Sequence, residues 1–154
     1  MNQDQIYDRV EEWLRSYPKW KTKIETLKAE MENFQRITQR LQLVQGKSEG
    51  MVTNPTLDAV IRHLEILEHE LPDLEFVTRL TEIALRSFSE EEQLFIQLRF
   101  FRKQAVMKVA DQLNLSRSGF YRRRTEILES FYKLIGGENA LIWLDRLDAP
   151  LSVP

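Results

Sequence analysis

Residues 105–135 read AVMKVADQLNLSRSGFYRRRTEILESFYKLI, and this stretch decides how the whole chain is read. Val106, Val109, Ala110 and Leu113 recur at three- and four-residue spacing, which predicts a short helix with one apolar face. Ala110 is small enough for a second helix to cross closely. Asn114 follows, a residue that tolerates the left-handed backbone a tight turn needs, and Leu115 can plug that turn. Ser116 is a strong N-cap for a further helix with Phe120, Ile127, Phe131 and Leu134 inward, ended by Gly136-Gly137.

A short helix, a tight turn with an apolar plug and a Ser-capped basic helix make a helix-turn-helix pattern. Charge points the same way. The chain has 154 residues and a formal net charge of −2, but the charges are segregated. Residues 1–98 carry 12 Lys+Arg and 18 Asp+Glu, a net of −6, and residues 125–154 carry 2 and 5, a net of −3. Between them, residues 99–124 carry 8 basic residues against Asp111 alone, a net of +7. Such an island suits a polyanion, because each phosphate contact releases counterions. A solvated basic helix face is the competing explanation on charge alone.

A recognition helix presents its N-terminal residues to base edges in the major groove. With Ala110 and Phe120 as packing positions, Ser116, Arg117, Ser118, Tyr121, Arg122 and Thr125 turn toward double-stranded DNA. Arg117 and Arg122 can each pair bidentately with guanine O6/N7, and Tyr121 can meet a thymine methyl or a phosphate. Ser118 and Thr125 complete the expected base-contacting set. Ser116, with the helix N-terminal N–H groups, suits a phosphate, and Lys108, Arg123, Arg124, Arg102 and Lys103 are expected to hold the backbone. Gly119 lowers helix propensity by about 1 kcal/mol relative to Ala, marking either a close approach to DNA or the other helix, or ordinary drift.

Outward from this stretch the chain reads as all-α. Ile6, Val10, Trp13 and Leu14 predict a helix over about 3–16, with Pro18 as its stop. From Trp20 through Ile24, Leu27, Met31, Phe34, Ile37 and Leu41 to Val44, an apolar stripe predicts a helix of roughly 26 residues, about 39 Å long. A stripe of that length must meet another helix, of this chain or of a second copy; the homodimer seam is the reading preferred over packing within the chain. QGKSEGMVTNP, residues 45–55, reads as the main linker. Thr56 is the expected N-cap of a helix through Leu57, Val60, Ile61, Leu64 and Leu67, ending near Pro72. A second helix over 73–87 turns Leu74, Val77, Leu80, Ile83 and Ala84 inward. Ser89-Glu90-Glu91-Glu92 is a capping box opening a helix with Leu94, Phe95, Leu98 and Phe101, to about Arg102. Four segments result: 1–47, an N-terminal helical and oligomerisation region; 48–72, linker and helix; 73–137, the DNA-binding domain; and 138–154. This last holds an apolar cluster, Leu141, Ile142, Trp143, Leu144 and Leu147, suited to capping the core or docking a partner.

The motif FSEEEQLFIQLRFF, then VMKVADQL, then LSRSGFYRRR resembles region 4 of bacterial sigma factors and related regulators, over about residues 88–131. One departure is Arg123, which stands where many helix-turn-helix proteins carry a third apolar residue. The whole layout, from EEWLRSYPKWKTKIETLKAEM through the linker and acidic helices to the sigma-like end, resembles phage and mobile-element late-gene regulators of the RinA, ArpU and LtrC groups. The resemblance implies a transcriptional activator of late, packaging or lysis genes in the bacterial cytoplasm, with RNA polymerase or a phage protein as partner. A small terminase-type packaging protein and a protein-binding adaptor are the alternative readings.

Other chemistries find little footing. Without cysteine there are no disulfides, no thiol catalysis and no cysteine-ligated zinc. His63 and His69 are the only histidines; Glu65 and His69 share a face, but two ligands without a third make no metal site. No catalytic carboxylate pair, phosphate loop or nucleophile elbow is visible, so neither enzyme nor cofactor is expected. MNQDQIYDRVEEW lacks the basic and apolar regions of a secretory signal, and the apolar runs are too short to span a membrane.

Overall fold

A computed structural model describes residues 1–45 and 55–148, and every regular element among them is helical. In chain order they are α1 (Gln3–Gln45), α2 (Pro55–Leu85), α3 (Glu90–Ile96), α4 (Val106–Gln112), α5 (Arg117–Ile135) and α6 (Glu138–Asp148), with a π-helical segment at Gln97–Phe101 extending α3. Most of the expected linker, residues 46–54, lies outside the described residues.

The two expected breaks at proline do not occur. Pro18 lies inside α1 and Pro72 inside α2, so each pair of expected helices is one rod, of 43 and 31 residues. An internal proline forfeits one backbone hydrogen bond and costs about 3 kcal/mol. Val10, Trp13, Leu14, Tyr17 and Trp20 are buried around Pro18, and Leu67, Leu74 and Val77 around Pro72. At about 1.5–3 kcal/mol for each large side chain, that burial outweighs the proline. The expected boundary after residue 72 therefore falls within a continuous helix. Thr56 is also displaced from its expected role, since Pro55 already occupies the helix and suits its first position.

The stripe of α1 packs on α2 of the same chain. The helices run antiparallel: Trp13 Nε1 donates to Thr81 Oγ1 at 2.8 Å, Tyr17 Oη to Glu82 at 3.0 Å, and the Phe34 and His63 rings lie 4.6 Å apart. Lys23–Glu70 and Lys28–Glu75 ion pairs bridge them. Burial, then the Glu82 carboxylate, push the Tyr17 phenol up to about 12.

The remaining helices pack on one end of this hairpin. The Ser89–Glu92 capping box forms as expected. Beyond it the helix departs from α-geometry: Arg102 N–H bonds Gln97 O at 2.9 Å, five residues back. This wider turn lets Phe95 and Phe100, five apart, both lie buried; in a regular α-helix they would diverge. Ile83 and Leu134, expected inward, are instead exposed, with Ile135 taking the inward place at the end of α5. α6 caps the core: Ala140, Leu141 and Leu144 are buried, Trp143 stacks on Phe76 at 4.9 Å, and Arg9 pairs with Asp145 at 2.7 Å. One contiguous buried cluster runs from Val10 to Leu144.

Candidate nucleic-acid interface

The turn between α4 and α5 is built as its residues dictate. Asn114 sits at φ 56°, and Leu115 N–H bonds Ala110 O at 2.8 Å, folding the chain back while Leu115 packs against the core. Ser116, extended at φ −71° and ψ 165°, starts α5 and accepts from Gly119 N–H at 3.0 Å. A Cβ at Gly119 would meet Ser116 Oγ at 3.0 Å, so the glycine makes room for this cap; among the described residues no other helix comes within 4 Å of it. At the far end, Gly137 N–H bonds Tyr132 O and Gly136 N–H bonds Lys133 O, with Gly136 at φ 110°. That is a Schellman termination.

Phe120, Ile127, Leu128, Phe131 and Ile135 anchor α5. Phe120 lies 4.9 Å from Phe95, and Phe131 lies 6.4 Å from Trp13. This fixes which arc of α5 is open. Arg117, Ser118, Tyr121 and Arg122 are exposed, and Thr125 is half-buried with its hydroxyl donating to Tyr121 O at 3.0 Å. At about 100° per residue these five positions span about 140° of the helix.

The basic island divides in two. Arg102, Lys103, Lys108, Arg117 and Arg122 are exposed and have no ion-pair partner among the described residues. Two of the other three turn into the fold. Arg99 donates to Gln104 O at 2.8 Å and lies 5.8 Å from the Phe120 ring centroid. Arg124 pairs with Glu11 of α1 at 2.8 Å, with side chains only 19% and 16% exposed, so its guanidinium is engaged inside the fold. Arg123 stands between the two groups, 3.8 Å from the exposed Glu91. Its side chain is 31% exposed, half-buried where other helix-turn-helix proteins carry an apolar residue. So loose an ion pair contributes about 0–1 kcal/mol and leaves Arg123 able to turn to a phosphate.

Two residues passed over in the sequence matter here. Glu11 collects Arg124 and, at 2.9 Å, Arg15. Burial would raise its carboxyl, yet the Arg124 hydrogen bond and charge, with Arg15 and Arg99 behind, hold it below the usual range. Glu129 accepts from Tyr7 Oη and from Gln3 at 3.1 Å, and this carboxylate, foremost through its hydrogen bond, raises the Tyr7 phenol. The first three turns of α1 thus clamp α5 at two points. No local pattern signals contacts between residues more than a hundred positions apart.

Among the described residues no cluster of three or more His, Cys, Asp or Glu could hold a metal, and no helix is long and apolar enough to cross a membrane. Comparison with protein-family models, curated proteins and solved structures finds no match.

Proposed function

We propose that the protein is a sequence-specific regulator of transcription that reads double-stranded DNA with the N-terminal half of α5, as a sigma region 4-like helix-turn-helix. The observation that carries this reading is an open Ser116-capped helix end bearing exposed Arg117 and Arg122, with exposed Lys108 on α4, none of them with an ion-pair partner among the described residues. Arg117 and Arg122, with Ser118, Tyr121 and Thr125, read base edges; Ser116, Lys108, Arg102, Lys103 and Arg123 hold phosphates. The acidic remainder keeps other faces off the DNA. The resemblance to phage and mobile-element late-gene regulators supplies the finer reading: activation of late genes in the bacterial cytoplasm, with RNA polymerase or a phage protein as partner. A second copy, joined through the N-terminal helices, supplies the reader for a second half-site.

The test is duplex DNA binding across a series of salt concentrations. With four to five phosphate contacts per chain, log K against log salt falls with a slope of about −4. A flat response overturns the proposal.

A further inference from the structure

One side chain on the open arc of α5 has its polar half already in use. Thr125 donates its hydroxyl to Tyr121 O at 3.0 Å, four residues back in the same helix. Its one proton is thereby spent, and what remains is a methyl group and a lone pair. Tyr121 is exposed, with its ring set edge-on to the buried Phe120 at 5.3 Å. Residues four apart are neighbours on a helix surface, so the Tyr121 ring and the Thr125 methyl form one apolar strip. By angle that strip falls inside the arc: Arg117 stands about 40° to one side of Tyr121, and Arg122 about 60° beyond Thr125. Ser118 is about two turns nearer the helix start than Thr125, its hydroxyl 3.3 Å from Ser116 Oγ.

Strong acceptors are missing from the arc. No carboxylate or amide side chain stands among Arg117, Ser118, Tyr121, Arg122 and Thr125. Glu129, about one turn past Thr125, is taken by Tyr7 and Gln3 of α1. Glu126 lies outside the arc, about 40° past Arg122. In the major groove adenine and cytosine each present an amino donor, which calls for such an acceptor. Guanine presents two acceptors, and thymine an acceptor and its C5-methyl group.

From this arrangement we infer that α5 reads a thymine by its C5-methyl group, received against the Thr125 methyl and the Tyr121 ring, with guanine held by the arginines that flank them. Thr125 is a specificity-determining residue through its methyl, not its hydroxyl. The inference rests on the DNA-binding reading above and names the base that the middle of the arc selects.

The test starts from duplexes that the full chain selects out of a random pool. In the selected site each thymine is replaced singly by uracil, which lacks only the C5-methyl group. At one position the change weakens binding about fourfold, the worth of one buried methyl group. Thr125→Val, which keeps the methyl, still separates the two duplexes about fourfold, whereas Thr125→Ser, which keeps the hydroxyl, binds them alike. Far-ultraviolet circular dichroism checks that both variants stay helical. A wild-type chain indifferent to uracil at every position, a selected site without thymine, or discrimination that survives in Thr125→Ser overturns this inference and leaves the DNA reading standing. A pool that yields no preferred sequence overturns both.

Discussion

Trp13 is the joint between the hairpin and α5, and Trp13→Phe measures how firmly that joint is made. Its side chain is wholly buried, and its indole N–H donates to Thr81 Oγ1 at 2.8 Å while that hydroxyl donates to Val77 O at 2.7 Å. The ring meets Trp20 edge-on at 5.4 Å and Phe131 of α5 at 6.4 Å. Phenylalanine removes roughly 40 Å³ of side chain, which contributes about 1 kcal/mol as cavity and about 1 kcal/mol as lost transfer free energy. The lost hydrogen bond adds about 1 kcal/mol. The sum, about 3 kcal/mol, lowers the melting temperature of a chain this size by about 6–12 °C. Thr81→Val isolates the polar part: it strands the indole N–H and costs about 1–2 kcal/mol. Urea and thermal unfolding of the full chain read both variants, with Trp143→Phe, at a half-buried position, as the reference. A loss under about 1 kcal/mol for Trp13→Phe would refute the reasoning.

Arg122→Ala is expected to flatten base preference at one position, costing about 1–3 kcal/mol on the preferred site, whereas Lys108→Ala weakens all sequences alike and reduces the salt slope by about 1. Competition binding with mutated sites distinguishes them; uniform loss from Arg122→Ala would contradict its role. Glu11→Gln is expected to destabilise by about 1–2 kcal/mol at pH 7, because it strands Arg124 and Arg15. The Glu11 carboxyl is held below its ordinary value near 4.5, so its stabilisation is present above that value and lost as pH falls through the depressed one. Unfolding curves for wild type and variant should therefore converge in acid; a gap that stays constant down to pH 2 would exclude this linkage. Lys103 sits at φ 55°, so Lys103→Gly is expected to gain about 0.5–1 kcal/mol of stability while weakening DNA binding. Unchanged binding would remove Lys103 from the phosphate contacts.

What the sequence made legible was local. The Ser89 box, the Asn114 turn, the Ser116 cap and the Gly136 stop each depend on residues within about five positions, and each formed as read. Pro18 and Pro72 misled because local propensity favours a stop while long-range burial of Trp13, Trp20, Leu67 and Leu74 favours continuity. The π turn was hidden for a related reason: Phe95 and Phe100 break helical spacing, and only their packing against each other in the core, with Phe95 also on Phe120, explains it. At the interface, residue type and spacing placed Arg117, Ser118, Tyr121 and Arg122 on an open arc. They could not separate Arg122, in solvent, from Arg124, held by a carboxylate of α1.

The continuity of α1 through Pro18 has a mechanical consequence. Glu11 grips α5 near one end of a single rod, whose other end, at Gln45, lies about 50 Å away along the helix. A tilt of that rod by about 5° about Glu11 moves its far end by about 4 Å. A load on the distal end of the hairpin therefore reaches the Glu11–Arg124 clamp through one continuous helix, with no joint at Pro18 to absorb it.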